Sequence, residues 1–124
     1  MFSKDYVMRQ VQQLGQVLAL VLFNKRENPE VEIIEIISTG LSESFGVSLD
    51  EVLAMDEIKI TALCHRNDSF TPDVAVSLAD LLMEDSSDLA QQRSFWLYSA
   101  ASRAGGTLPM HAMEWISSTG SYTD

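Results

Sequence analysis

The sequence has very little cysteine and lacks the features of a secretory leader. Cys64 is the single cysteine among 124 residues, so no internal disulfide can form. The first residues show no basic, apolar and small-residue succession of the kind a signal peptide has. These absences predict a cytoplasmic location. The length predicts one domain over residues 1–117, with 118–124 as a flexible tail.

Basic residues are also scarce. Eight Lys and Arg stand against 18 Asp and Glu, which gives a formal net charge of −10. Non-specific affinity for nucleic acid rests on clustered Lys and Arg, so no nucleic-acid partner is expected. Residues 1–26 hold four of the bases and only one acid, whereas the rest of the chain is strongly acidic. The first segment is therefore a basic element on an acidic body.

No apolar run is long enough to cross a bilayer. The longest, residues 17–23, has seven apolar residues, whereas a membrane-spanning helix needs about 20. No transmembrane segment is predicted. An interfacial helix is disfavoured as well, because glutamines rather than Lys and Arg occupy much of the polar face.

Alternating apolar and polar residues, the pattern of a half-buried strand, are missing too. Apolar residues at positions 7, 11, 14, 18 and 21 predict one long helix over residues 4–26. A second helix is predicted from Pro29, capped by Asn28 and ended by Gly46. Short helices are expected after Ser48, which has a capping-box spacing to Glu51, and through residues 57–66, where Asp56 is the predicted N-cap.

Three further helices are predicted in the second half of the chain, after the loop at residues 67–72. The sixth would turn Leu89, Trp96, Leu97, Ala100 and Ala104 inward. Together the segments predict an all-α fold, a compact bundle of about six or seven helices in antiparallel pairs.

The first helix allows two interpretations. A helix that is apolar all round has to be covered on more than one side, either by its own domain or by another copy of the chain. We take both as open. The candidate self-association residues are Leu14, Gly15, Val17, Leu18, Ala19, Leu20 and Val21. Pairs of carboxylates at a spacing of four, such as Asp80 with Glu84, predict a solvated acidic face; the alternative is that a basic helix of a partner subunit docks on it.

Aromatic residues are concentrated in "RSFWLYSAASR", where one helix face cannot bury all three rings. A groove lined by Arg93, Trp96, Tyr98 and Arg103 is the candidate site for a peptide or helix carrying an acidic group.

No spacing predicts catalysis, a metal or a cofactor. Cys64 and His65 are sequence neighbours, which diverge by about 100° on a helix, and His111 stands alone. Glycine-rich phosphate loops and nucleophile elbows are missing from the sequence. Catalytic, cofactor-binding and metal-ligating residues are therefore not assigned, and no cofactor is expected.

The chain resembles an uncharacterised family of small all-helical bacterial proteins. The resemblance is carried by "DYVMRQVQQLGQVLALVLF", by "LSESFGVSLDEVLAM" and by "DVAVSLADLLMEDSSDLAQQRSFWLYSAASRA". Its most specific residues are Asp5, Tyr6, Arg9, Gln13 and Leu14. The resemblance implies a bacterial origin, an all-helical fold and a C-terminal helical hairpin similar to one tetratricopeptide repeat. It implies no activity.

These observations predict a non-enzymatic interaction or assembly module, a homo-oligomer that self-associates through its first helix. The alternative is a small-molecule or lipid-binding bundle, which would contain a pocket instead of a closely packed core. An enzyme ranks third, because no convergent set of polar residues is apparent in the sequence.

Overall fold

Helices account for nearly all the regular structure. The computed structural model describes residues 2–119, with side chains for residues 6–118. In chain order the elements of this part are α1 (Phe2–Glu27), α2 (Ile33–Phe45), α3 (Leu49–Leu53), α4 (Glu57–Ala62), β1 (His65–Arg66), β2 (Ser69–Phe70), α5 (Pro72–Leu82), α6 (Asp88–Arg103) and α7 (Met110–Thr119). The predicted all-α bundle of about seven helices is confirmed.

The α5–α6 hairpin forms the centre of the bundle. α5 packs against both α6 and α1, and α2 packs on α1. α3, α4 and α7 each lie against α6. α5 is apolar over most of its surface, so it has to be covered on more than one side, and two helices cover it. Its fully buried residues are Val74, Ala75, Leu78, Ala79, Leu81 and Leu82.

α6 buries a different face from the one that the sequence predicted. Leu97 is buried as expected, but Leu89 and Ala104 are exposed, and Trp96 and Ala100 are only partly buried. The buried face instead carries Ala90, Arg93, Ser94, Phe95, Leu97, Tyr98 and Ala101. The small residues on this face let α5 approach closely, and Ser94 Oγ donates a hydrogen bond to the carbonyl of Ala79 at 3.1 Å. The predicted inward positions therefore described the wrong face, apart from Leu97.

α2 begins later than predicted. The N–H of Asn28 donates to the carbonyl of Asn24 at 2.9 Å, which continues the hydrogen-bond pattern of α1 instead of opening a new helix. Asn28 and Pro29 therefore belong to the turn after α1, and α2 starts at Ile33 with Glu32 at its N-cap. The predicted end is confirmed, since Gly46 is the C-cap with φ of 74°.

Two predicted caps are confirmed. Ser48 and Glu51 form a capping box, in which Ser48 Oγ accepts from the N–H of Glu51 and Glu51 Oε1 accepts from the N–H of Ser48. Asp56 Oδ1 accepts from the N–H of Lys59 at 2.8 Å and starts α4. Each cap is formed by residues close together in the chain, so it can be predicted from the sequence alone.

A small β-hairpin replaces the predicted end of the fourth helix and the loop that follows it. β1 and β2 pair antiparallel, with His65 opposite Phe70 and Arg66 opposite Ser69. The two residues between them, Asn67 and Asp68, have φ of 55° and 64°. Asn and Asp tolerate this left-handed region better than most residues, so they permit a tight hairpin turn.

Arg66 connects the hairpin to α1 and α2. Its guanidinium donates to Gln10 Oε1 and to the carbonyl of Leu63, and it lies 5.7 Å from the ring centre of Tyr6 and 5.9 Å from that of Phe45. Gln10 in turn donates to the carbonyl of Ser44 at 2.8 Å. This network holds together three segments that are distant in sequence.

The C-terminal helix extends into the segment predicted as a tail. α7 includes Ser118 and Thr119, and residues 120–124 lie outside the described part of the chain. Within residues 2–119, no helix combines the length and the apolarity that crossing a membrane requires.

Candidate functional site

The residues predicted for self-association divide between the two faces of α1. Leu14 and Val21 are fully buried in the core, so assigning them to an interface was wrong. Leu18 is partly buried against the same core. Helical spacing explains the division, because residues 14, 18 and 21 form one seam that faces the bundle. Gly15, Ala19 and Leu20 do lie on the exposed side.

Val17 lies at the contact between α1 and α2. A Cβ atom added to Gly40 would be 2.7 Å from Val17 Cγ1, a distance that real Cβ atoms essentially never show. Gly40 therefore allows α2 to pack directly on Val17. Only part of Val17 remains accessible, and substituting it would disturb the fold as well as any interface.

The exposed side of α1 carries three large apolar side chains near its C-terminal end. Leu20 is 50% exposed, Leu22 45% and Phe23 47%. The apolar run at residues 17–23 is thus partly core and partly uncovered surface. Ala19 lies on the same exposed side, so the large side chains flank a small one.

An open groove adjoins Leu20 where α1 meets α2. We call it the α1/α2 groove; its lining residues are Val17, Leu20, Glu35, Ile36, Thr39, Gly40 and Glu43. It has a volume of about 310 Å³ and is lined mainly by apolar atoms. Glu35 and Glu43 are exposed, and neither takes part in an ion pair within the described residues. The groove is therefore apolar inside and acidic at its edge.

The predicted aromatic groove on α6 is not formed. Tyr98 is fully buried and Arg93 nearly so, whereas Trp96 is partly buried and Arg103 exposed. Tyr98 and Trp96 are two positions apart, so they point to different faces of the helix. The four residues consequently do not line one open surface, and the prediction of a peptide site there was wrong.

Arg93 stabilises the packing of α6 instead. Its guanidinium donates to the carbonyl of Met55 at 2.8 Å and to that of Leu89 at 3.2 Å. It also lies 4.9 Å from the ring centre of Trp96. Burial lowers the pKa of Arg93. These contacts connect α6 to the segment between α3 and α4.

A second open pocket lies where α1, α5, α6 and α7 come together. We call it the Asp80 pocket; its lining residues are Leu18, Leu22, Asp80, Met83, Glu84, Tyr98, Pro109 and His111. Its volume is about 290 Å³. No pattern in the sequence indicated this site, because its walls come from segments up to 93 positions apart and Tyr98 was predicted to line a different groove.

Asp80, Tyr98 and His111 form the polar part of this pocket. The Tyr98 hydroxyl donates to Asp80 Oδ1, and His111 Nε2 lies 3.5 Å from the same hydroxyl. Burial is the main cause that raises the pKa of Asp80, and burial together with the bond to Asp80 raises the pKa of Tyr98. The predicted solvated acidic face is thus wrong for Asp80, which is half-buried.

Cys64 and His65 do not form a reactive pair. Cys64 is fully buried, and burial raises the pKa of its thiol to about 12, well above neutral pH. His65 lies on β1, with Nδ1 3.1 Å from the carbonyl of Thr61 and its ring edge-on to Phe70. Among the residues that the structure describes, no three His, Cys, Asp or Glu side chains come together as a possible metal site.

Comparisons with known proteins add no relative: no family model, no curated protein and no solved structure matches the chain. The resemblance to the small bacterial family and the similarity of the α5–α6 hairpin to a tetratricopeptide repeat remain predictions. The features of the molecule that suggest a function are the exposed side of α1, the α1/α2 groove and the Asp80 pocket.

Proposed function

We propose that the protein is a non-enzymatic assembly module that forms a homodimer through the exposed side of α1 and the α1/α2 groove. The observation that carries this proposal is the half-exposure of Leu20, Leu22 and Phe23 on a helix whose opposite side packs against the core. Apolar surface of this kind is stabilised when a partner covers it, by about 25 cal/mol per Å² removed from water.

The geometry of this surface is compatible with a second copy of the chain as its partner. In a two-fold dimer each copy presents the same patch, so Phe23 of one copy can enter the α1/α2 groove of the other. The groove volume of about 310 Å³ exceeds that of a phenyl ring. α1 has 26 residues, which corresponds to a length of about 39 Å. Two copies that pack side by side along α1 would therefore share a long surface.

The charges favour the same partner. Arg9 and Arg26 are exposed on α1, and the edge of the α1/α2 groove carries Glu35 and Glu43. A partner α1 brings apolar and basic residues together, which complements a groove that is apolar inside and acidic at its edge. Such pairing steers association and weakens as salt rises. The net charge of −10 opposes association of whole molecules, so the local complementarity has to outweigh it.

The test is the molecular mass in solution, measured by sedimentation over a range of protein concentrations. We expect a wild-type dimer of twice 13.8 kDa and a monomer for the double variant Leu20→Glu, Phe23→Glu. Val17 is left unchanged because it packs against Gly40. Ile58→Glu is the matched control, since Ile58 is 78% exposed on α4 and an acidic replacement there should leave the dimer intact.

Two results would contradict the proposal. The first is a wild-type protein that stays monomeric up to about 1 mM, where even a weak dimer with a Kd in the micromolar range would form. The second is a double variant that remains dimeric with an unchanged helical circular dichroism spectrum. Loss of helical signal in the double variant would instead mean that the two side chains support the fold. The single variant Phe23→Ser would then be measured in place of the double variant.

A further inference from the structure

The Asp80 pocket combines apolar walls with a half-buried carboxylate. Leu18 and Leu22 come from α1, Met83 follows α5, and Pro109 precedes α7. Asp80 lies among them on α5. A pocket with mostly apolar walls and a few converging polar groups is the usual form of a small-molecule site, and about 290 Å³ is at the small end of the usual range.

Asp80 has no cationic partner within the described residues. It accepts the hydroxyl of Tyr98, but no Lys, Arg or His lies within ion-pair distance of it. Lys25 of α1 pairs with the other carboxylate of the pocket: its Nζ is 2.7 Å from Glu84 Oε1 and also donates to the carbonyl of Glu84. Glu84 is therefore neutralised and Asp80 is not.

A half-buried carboxylate without a cation is unfavourable, because burial removes water from the charged form. The raised pKa of Asp80 is consistent with this cost. A ligand with a positive charge would reduce it, whereas an anion would be repelled by Asp80. Leu18, Leu22 and Met83 also line this space, so an apolar body on the ligand would have apolar side chains to pack against.

We propose that the Asp80 pocket binds a small organic cation, an amine with a short apolar body. The ammonium group donates a hydrogen bond to the Asp80 carboxylate, and the apolar body packs against Leu18, Leu22 and Met83. Tyr98 holds the carboxylate in place through its hydroxyl. Leu22 belongs both to this pocket and to the exposed apolar patch of α1, whereas Leu20 and Phe23, which the dimer test replaces, do not line the pocket.

Binding should weaken as the pH falls. Four titratable groups bear on Asp80: Glu84 on the segment after α5, Tyr98 on α6, His111 on α7, and Lys25 on α1 through its ion pair with Glu84. Protonation of Asp80 removes the charge that attracts the amine, so the affinity falls as the pH falls.

The test is calorimetric titration of the full-length protein with n-hexylammonium chloride at pH 7.5, with 1-hexanol as the uncharged probe of the same shape. We expect saturable binding of the ammonium ion, at least tenfold weaker binding of the alcohol, and at least tenfold loss of ammonium affinity in Asp80→Asn. Asn keeps an oxygen that can accept the Tyr98 hydroxyl. Glu30→Gln removes an exposed carboxylate elsewhere and should leave the affinity unchanged.

His111→Lys is a second variant that avoids the buried position. His111 is exposed, so the substitution should fold, and its permanent positive charge should compete with the ammonium ion and lower its affinity. The proposal is overturned if the ammonium ion shows no saturation up to about 10 mM. It is also overturned if 1-hexanol binds equally well, or if Asp80→Asn and His111→Lys both bind as the wild type does.

Discussion

Val17 of α1 and Gly40 of α2 fit together so closely that a side chain added at position 40 would force its neighbours to shift. A Cβ atom there would lie 2.7 Å and 2.8 Å from the two methyl carbons of Val17. Glycine is normally a poor helix residue, by about 1 kcal/mol relative to alanine. The contact accounts for its presence in the middle of α2, since it permits α1 and α2 to pack with their backbones close together.

Gly40→Ala should therefore destabilise the protein even though alanine favours helix. We expect the free energy of unfolding in urea to fall by about 1 kcal/mol or more, because overpacking costs about 1–3 kcal/mol and exceeds the gain in helix propensity. In a Val17→Ala background the same substitution should be stabilising, since the added methyl group would fill the space that Val17 vacates.

Gly15→Ala is the matched control for this experiment. Nothing lies within 4 Å of a Cβ atom added at Gly15, so alanine should stabilise α1 by up to about 1 kcal/mol. All variants are best compared in the Leu20→Glu, Phe23→Glu background, where association does not contribute to stability. A Gly40→Ala variant that gains stability as Gly15→Ala does would show that α2 can move away from Val17 at little cost.

The sequence predicted those parts of the fold that depend on neighbours in the chain. The seam of α1 and the caps at Ser48 and Asp56 depend on residues within about one or two helical turns, and all three are found. The end of α2 at Gly46 is of the same kind. Local hydrogen bonding and helical periodicity suffice to specify these features.

The errors concern contacts between distant segments. Which face of α6 is buried depends on how closely α5 approaches, and the small residue Ser94 marks that face through its bond to Ala79. Arg93 was predicted to line a partner groove, because the residue that binds its guanidinium, Met55 through its carbonyl, is 38 positions away in the sequence. The Asp80 pocket likewise needs four helices in place before its residues meet, so no spacing in the sequence indicated it.

Arg93→Gln should destabilise the protein, although arginine is usually a surface residue. The substitution removes the hydrogen bond to the carbonyl of Met55 and the contact with the Trp96 ring. We expect a loss of about 1–3 kcal/mol in the free energy of unfolding, the range for leaving buried hydrogen-bonding groups unpaired. Thermal or urea unfolding, followed by circular dichroism, measures it.

Arg103→Gln provides the comparison for Arg93, since Arg103 is exposed at the last turn of the same helix. We expect a change within about 0.5 kcal/mol, as for other surface substitutions. Equal effects of the two substitutions would contradict the structural role of Arg93. They would instead indicate that the contacts to Met55 and Trp96 contribute no net stability.

Asp80 should make the stability of the protein depend on pH. Burial, with a smaller contribution from Glu84, raises the pKa of Asp80 above the ordinary 3.8, against the opposing effects of Tyr98 and His111. The folded protein therefore keeps this proton at pH values where the unfolded chain has released it. The stabilisation from Asp80 is fully present below about pH 3.8 and is lost as the pH rises through the raised pKa.

Asp80→Asn isolates this effect, because asparagine has no charge to bury and still offers an acceptor to the Tyr98 hydroxyl. Its free energy of unfolding relative to the wild type should increase as the pH rises from about 4 to about 7, measured in urea at each pH. The same difference for Glu30→Gln, an exposed carboxylate, is subtracted to remove general charge effects. A difference that falls with rising pH would mean that the Tyr98 hydroxyl stabilises the ionised carboxylate by more than burial penalises it, and the Asp80 pocket would then have no unmet demand for a cation.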